Sequence, residues 1–580
     1  MNKGVGIILS ISMGLILVAS VMGIPHNVYQ NTYAASIISI SFLGIIVASI
    51  VALAYKGFQS IDWIDALCLF SLAFYLLKDA NDEPLWNIGC LSLFLFFVSV
   101  RISGPIRPLY LYCGALLSLL VLSMWGYLQY FECLPSPNNY FKLCGPYHNP
   151  GMLGGMMAVI LVFIVTAVTK GNRMIRKVKI VFVLTVCVIL FTFPIFVLTE
   201  ARAAWLAFIV SVGCSLISSC SMNSQRRLHW RIGIICTVFG VIFSLYSMKP
   251  ESANGRMLIW KVGFEMVKDN PVTGLGRGAF ESRYLHYQAE YLDTKAKEKE
   301  KYLAGNTHFA FNEPVRITVE NGVVGLCNYL LLFIGMWFLP VKNDIQTHVC
   351  KSVILSIFVW SQFSYPNRMF PMIAILVLAY AVMLKHKKRI FFMERIQMKI
   401  CRSVYVPIIC VVSVLLMIPL LKQNQLYCNA FHFWHSLRIK EIVQKPDELA
   451  SFVSRFPKDT GFLSLYAHVI IKRKEYGKYD DVIKLIDEAV PTPSLLIRKG
   501  EMYQELGRYK DAESTYKTVA SMIPTRQKAR YKLALLYHET GRVEEAVSLA
   551  KTLLTEKVKN YGFETYDMHQ HLKEIFREML

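Results

Sequence analysis

Long apolar stretches dominate the first four hundred residues, broken by short polar segments. A helix crossing a bilayer needs about 17–25 mostly apolar residues, and slightly shorter runs are tolerated inside a bundle. On that measure the pattern predicts thirteen spans, at about 5–23, 35–54, 62–77, 85–100, 109–131, 151–169, 180–199, 203–221, 232–248, 323–340, 352–366, 369–384 and 404–421. The first run has no small-residue cleavage site followed by a polar start, so it reads as a retained span. One long polar segment, 249–322, interrupts the series. Beyond about residue 440 the apolar runs stop and the period changes. The expected fold is all-α: a membrane bundle over 1–421, a linker at 422–439 and a separate helical domain at 440–580.

Composition sharpens this picture. The chain is 54% hydrophobic and 18% charged, with a mean hydropathy of +0.41, whereas a soluble chain carries about 25% charge. Those values exclude a soluble enzyme, a disordered chain and a small disulfide scaffold. A net charge of +22 would suit a nucleic-acid partner. Most of the excess lies between apolar runs, however, where basic residues mark membrane sidedness, so no nucleic acid is expected. Most of the 14 cysteines lie inside apolar runs, where they act as small hydrophobes, and no metal-ligand spacing appears. Cys133 and Cys144 share a loop and could form a disulfide in an oxidising compartment, a matter of geometry that spacing leaves open.

Placing the N-terminus in the cytoplasm puts about 21 Lys and Arg residues inside, from Lys3 and Lys56 to the cluster at Lys385–Arg402. Only Lys78, Lys142, Arg202 and Arg368 then occupy the short outer loops. With an odd number of spans, the segment 249–322 and everything after 421 face outward.

The tail repeats itself. Gly477-Lys478-Tyr479-Asp480-Asp481-Val482, Gly507-Arg508-Tyr509-Lys510-Asp511-Ala512 and Gly541-Arg542-Val543-Glu544-Glu545-Ala546 share one pattern. The last two are 34 residues apart, the tetratricopeptide period. Each Gly is expected to close a helix in the left-handed region, and Pro524 to stop one. These copies resemble tetratricopeptide repeats, which imply a concave groove for a protein partner. A stabilising or oligomerising appendage remains the alternative.

Four polar clusters fall on the outward side, where polar residues beside spans are costly and suggest function. They are Gly145-Pro146-Tyr147-His148-Asn149-Pro150-Gly151, then Thr199-Glu200-Ala201-Arg202-Ala203-Ala204-Trp205. Next come Gly255-Arg256-Met257-Leu258-Ile259-Trp260 with Asp269-Asn270-Pro271-Val272-Thr273-Gly274-Leu275-Gly276. The last is His308-Phe309-Ala310-Phe311-Asn312-Glu313 leading into Glu320-Asn321-Gly322-Val323-Val324-Gly325. The glycines at 274, 276 and 278 lack a preceding strand and a nucleotide-binding spacing, so they read as backbone punctuation.

This combination resembles the O-antigen ligase and polymerase superfamily, which includes bacterial protein O-oligosaccharyltransferases, over about residues 140–385. Ser364-Tyr365-Pro366 adds to the likeness. The resemblance implies a multi-pass enzyme of the bacterial inner membrane with its large loop and tail in the periplasm. Such an enzyme moves a glycan from a polyprenyl-pyrophosphate carrier to a hydroxyl, on lipid A core or on a protein. The implied partners are that carrier-linked glycan, the acceptor and membrane lipid, and no cofactor or metal is expected. Polymerisation onto another carrier-linked glycan, or a non-catalytic scaffold in glycan assembly or export, is the alternative.

By motif, Arg202 and Arg256 match the family's recurrent arginines, whose guanidinium forks suit a pyrophosphate. A snorkelling arginine at the membrane interface is the bland reading of Arg202. Ligase members carry His-Asn where this chain has Phe311-Asn312, and phenylalanine accepts no proton. Glu313 and His308 are the nearby candidates for a base, against plain readings as a capping residue and a solvated histidine. His148, Asn149, Asn312 and Glu320 are expected to bind substrate or position the loops by hydrogen bonds.

The sidedness is directly testable. A reporter active only in the cytoplasm, fused after Leu580, is expected to stay silent, and activity there would reverse the orientation.

Overall fold

The computed structural model describes residues 63–77, 84–102, 108–169 except 139, 179–219, the single positions 233, 240, 246 and 247, 249–386 except 340 and 343, 402–436, 446–577 except 457–459 and 560, and 579. The expected spans at 5–23 and 35–54, and most of 232–248, lie outside the described residues. The described chain is helical, with no strand among the described residues.

Four helices are long and apolar enough to cross a membrane: Leu111–Tyr130, Pro150–Thr169, Lys179–Leu198 and Glu313–Gly335. Shorter apolar helices run over Cys90–Arg101, Arg202–Ser218, Ile345–Ser361, Pro371–Lys385 and Pro407–Lys422. The described residues therefore supply nine such helices against the thirteen spans expected. In chain order the first elements are α1 (Trp63–Leu77), α2 (Pro84–Ile102), α3 (Pro108–Tyr130), α4 (Pro150–Thr169), α5 (Lys179–Leu198) and α6 (Arg202–Ser219). Proline opens α2, α3 and α4, where its missing N–H costs nothing because the first helical turn has no acceptor for it. Arg101, counted above as a sidedness marker, is buried and forms a two-pronged bond with Asp65, at 2.7 and 2.8 Å, that ties α2 to α1. A buried charge is tolerable only with such a partner.

The centre of the bundle is α4, wedged between α6 and α11 (Ile345–Ser361). Two glycines make the wedge possible. A side chain at Gly155 would overlap the indole of Trp360 on α11, and one at Gly154 would overlap Ala201 beside Arg202. Small residues let membrane helices approach closely and gain van der Waals contact. Here that closeness sets the position of Arg202.

The polar segment 249–322 is itself helical. It holds α7 (Pro250–Asp269), α8 (Ala279–Thr294) and α9 (Glu298–Leu303), and ends within α10 (Glu313–Leu330). Helix α10 begins ten residues before the expected span because Asn312 caps it, its side chain accepting from the Val315 N–H at 2.9 Å. The helix then kinks at Gly322, whose φ is +62°. The motifs at 269–276 and 320–325 are each other's partners. Leu275 N–H donates to Val319 O at 2.8 Å, Gly276 N–H to Glu320 O at 3.0 Å and Val323 N–H to Pro271 O at 2.8 Å. A side chain at Gly274 or Gly322 would strike the opposite backbone. The glycines that looked like punctuation are where two backbones cross.

After α12 (Phe370–Lys385), α13 runs from Arg402 to Ser436, through most of the expected 422–439 linker. The repeats follow as α14 (Pro446–Arg455), α15 (Thr460–Lys472), α16 (Tyr479–Glu488), α17 (Pro493–Glu505), α18 (Tyr509–Met522), α19 (Lys528–Glu539), α20 (Val543–Thr555) and α21 (Phe563–Ile575). Gly507 and Gly541 adopt the left-handed region as expected, at φ +72° and +78°. Gly477 does not: it sits in a short 3-10 turn, and Lys474, at φ +53°, takes the left-handed position after α15. Beside each of the two left-handed glycines an arginine covers a tyrosine ring, Arg508 on Tyr503 and Arg542 on Tyr537. Pro524 lies just past the end of α18, where a helix must stop.

One hydrophobic core joins the repeats to the polar loop. Phe280, Tyr284 and Leu285 of α8 share it with Tyr516, Val519 and Met522 of α18. The Gln288 amide donates to the Met522 carbonyl at 2.7 Å, and Lys559 donates to the Tyr302 carbonyl at 2.9 Å. A shared core cannot straddle a bilayer, so the repeats and the loop lie on one side of it. Cys133 and Cys144 stay free thiols, one exposed and one buried, so the disulfide left open by their spacing is not formed.

Gly322→Ala is expected to destabilise the protein by about 1–3 kcal/mol, since alanine resists a positive φ and its Cβ meets the Val272 carbonyl. Thermal unfolding in detergent checks this, and an unchanged transition would show that the crossing can relax.

Candidate active site

A cleft of about 780 Å³ opens where α4, α6 and α7 meet the loops at 311 and 363–365. Its polar wall is cationic: Arg202, Arg256, Lys249 and Lys142 line it, with Glu200 as the one carboxylate among the described lining residues. Aromatic side chains are interleaved with these charges, with Tyr130, Tyr140, Phe141, Trp260, Phe311 and Tyr365 among the lining residues. Several of these are exposed, Tyr140 at 92%, which places apolar surface beside the cations.

Each arginine is set by its local structure. Arg202 is the first residue of α6, presented by a tight turn in which its own N–H donates to Glu200 O at 2.9 Å. Arg256 lies on the cleft face of α7 with Ser252, Ala253, Met257 and Trp260, the spacing of one helical stripe. Its guanidinium donates to the Phe363 carbonyl at 2.9 Å and lies 5.1 Å from the centre of the Phe311 ring. Burial, and then the nearby positive charge of Arg202, lowers its pKa below the usual arginine value. Two like charges brought this close raise the positive potential of the cleft.

Phe311 thus has a physical role: a cation–π platform for Arg256. Its backbone sits at φ +50°, a strained value for a bulky side chain. Phe309 stacks on Tyr365 at 4.1 Å between ring centres, and Phe311 meets Tyr365 edge-on at 5.3 Å. His148 lies behind this stack with Nε2 3.3 Å from the Tyr365 hydroxyl. Burial pulls the His148 pKa down to about 4, so the imidazole is neutral at physiological pH.

The eight residues singled out from sequence divide into three groups. Arg202, Arg256 and Asn149 line the cleft, with the Asn149 side chain accepting from the Gly151 N–H at the start of α4. His148 and Asn312 back it; the Asn312 amide donates to the Gln362 carbonyl at 3.0 Å, steadying the 363–365 loop. Glu313, Glu320 and His308 are drawn away into an ionic network. Arg316 bridges Glu313 at 2.7 Å and Glu320 at 2.5 Å. Arg368 lies 3.7 Å from Glu320 and from Glu281, and His308 lies 3.6 Å from Glu281. Glu313 is fully buried and also accepts from the Asn367 N–H at 3.1 Å. The placement of Glu313 and His308 therefore differs from that expected of a base: neither lines the cleft, Glu313 being held by Arg316 one turn along α10 and His308 lying beside Glu281 of α8. Sequence reasoning missed Lys249, whose place beside Arg202 depends on a fold contact, and gave Glu200 and Tyr365 no role though both stood in quoted motifs.

Residues 149–330 match the family model described as O-antigen ligase. That stretch of the chain is similar to O-antigen ligases. Residues 503–561 match a tetratricopeptide repeat model, and no curated protein matches the chain. The ligase match begins at Asn149 and takes in Arg202, Arg256, Phe311 and the Gly322 kink, which are the parts that build the cleft. The apolar helices mark a membrane protein, and residues 149–330 are similar to a glycan-transferring family.

Glu313→Gln is expected to act on stability. Breaking a buried ion pair costs about 3–5 kcal/mol, so the variant's thermal transition should fall clearly. An unchanged transition together with lost turnover would return Glu313 to a chemical role.

Proposed function

We propose that this protein transfers a glycan from a polyprenyl-pyrophosphate carrier to an acceptor hydroxyl on the periplasmic side of the inner membrane. The observation that carries this reading is the cleft itself. Two guanidinium groups from separate helices, with two lysines, line one space together with several aromatic side chains. Guanidinium forks grip phosphate oxygens in a fixed geometry and keep their charge. Aromatic faces suit both sugar rings and an isoprenoid chain.

In this mechanism Arg202 and Arg256 hold the pyrophosphate and stabilise the charge that builds as it departs. The acceptor oxygen attacks the anomeric carbon of the first sugar, and the carbon–oxygen bond to the pyrophosphate breaks. The residues named here supply the electrostatics without a metal or nucleotide sugar. The ionic network of α10 with Arg368 and Glu281 ties α10 to α8 and to the turn after α11. The repeats, sharing a core with α8, stand where a protein acceptor or partner would be presented next to the cleft.

Reconstitution with carrier-linked glycan, using rough lipopolysaccharide and Ser/Thr-containing protein as acceptors, tests the reading by mass spectrometry. Growth of the carrier-linked glycan alone would indicate a polymerase, and no consumption of the carrier would indicate a scaffold. Arg202→Lys and Arg256→Lys are each expected to lose about one to two decades of rate. A charged hydrogen bond is worth about 1.5–3 kcal/mol, and an ammonium cannot reproduce the planar fork. Near-normal turnover in both variants would remove these residues from the site.

A further inference from the structure

The transfer needs somewhere for the acceptor's proton to go, and the family's histidine position is phenylalanine here. Glu313 and His308 are committed elsewhere. Tyr365 lines the cleft, but burial raises its pKa, so it keeps its proton and serves as a donor. What remains is Glu200, the one carboxylate among the described residues lining the cleft.

Three features of Glu200 point the same way. It sits between α5 and α6 at φ +49°, a left-handed backbone that a glutamate adopts only when its surroundings impose it. The imposition is visible: Thr199 N–H donates to Ile195 O, Glu200 N–H to Val197 O and Arg202 N–H to Glu200 O, all at 2.9–3.0 Å. This turn sends the side chains of Glu200 and Arg202 to the same cleft. The carboxylate is 69% exposed and bonded to Lys249 at 2.5 Å, so it is reachable and oriented. That lysine bond holds its pKa below the usual carboxylate value, leaving it ionised and proton-accepting at neutral pH. Lys249 also offsets the repulsion a carboxylate would exert on a bound pyrophosphate.

Building on the glycan-transfer reading, we infer that Glu200 is the general base that takes the acceptor's hydroxyl proton. As the acceptor oxygen bonds to the anomeric carbon, the bond to the pyrophosphate breaks and its electron pair leaves with the pyrophosphate. The hydroxyl proton moves to a Glu200 oxygen, giving a neutral acid that returns the proton to water after the products depart. A carboxylate is basic enough, because the attacking hydroxyl becomes strongly acidic while its new bond forms.

The test uses the full-length protein in lipid with carrier-linked glycan. The nucleophiles are rough lipopolysaccharide, a Ser/Thr-containing protein and sodium azide, which is anionic and needs no base. Glu200→Gln is expected to lower kcat for hydroxyl acceptors by about 10²–10⁴-fold. Its KM for the carrier-linked glycan and its rate of glycosyl azide formation should stay near those of the unmodified protein. Glu200→Asp should recover part of the hydroxyl transfer. Lys249→Met, which removes the group that orients Glu200, should raise the KM for the glycan and lower the ratio of hydroxyl to azide transfer, by less than Glu200→Gln does. Normal hydroxyl transfer by Glu200→Gln overturns the assignment, and so does an equal loss of hydroxyl and azide transfer, which would mark a purely structural role. If the unmodified protein consumes no carrier-linked glycan, the glycan-transfer reading falls and the base falls with it. If it does, only the assignment of Glu200 is at stake.

Discussion

The crossing of two backbones at Gly274 and Gly322 is the constraint on which the site depends. There the turn after α7 lies against the kink in α10, joined by amide-to-carbonyl bonds from Leu275, Gly276 and Val323. Gly274 and Gly322 are buried at the point of contact, where two backbones this close satisfy each other's amides and carbonyls. The crossing ties α7, which bears Arg256, to a helix long and apolar enough to span a membrane. Without it, the loop arginine would have no fixed relation to Arg202, whose place is set in the bundle by Gly154 and Ala201.

Charges reinforce what the backbone fixes. Glu281, Glu313 and Glu320 are all buried, and Arg316 and Arg368 lie among them. Such a network gives little net stability compared with an apolar core, yet it tolerates no missing member. It joins α8, α10 and the turn after α11, the turn that carries Tyr365. Carboxylates paired in the interior hold the frame, while Arg202, Arg256, Lys142 and Lys249 line the cleft.

The repeats extend the same frame outward. In a solenoid each repeat buries its face on its neighbour, so an exposed end needs a cap. Here the solenoid meets the rest of the chain differently: α18 uses part of its surface to pack on α8, and the Phe433 ring of α13 stacks on Phe452 of α14 at 4.6 Å. The helix leaving the bundle and the loop over the cleft therefore hold the solenoid from two directions. A partner bound to the repeats would sit on a body continuous with the active-site loop.

The sequence alone determined that this chain is helical, membrane-bound and tipped with tetratricopeptide repeats. Those properties follow from local periodicity, and a run of apolar residues or a 34-residue repeat carries them whatever the fold does next. It also pointed to Arg202, Arg256 and Asn149, because polar residues beside spans are rare. Tertiary structure alone decided which polar residues share a space. Glu313 stands two positions from Phe311, yet Arg316 and the Asn367 amide take it out of the cleft. Glu200 reaches the cleft because a left-handed turn aims it there and Lys249, 49 residues away, receives it. The Arg316 pairing is local to α10, but the Asn367 and Lys249 contacts join elements far apart in the chain, and neighbouring residues in the sequence carry no record of them.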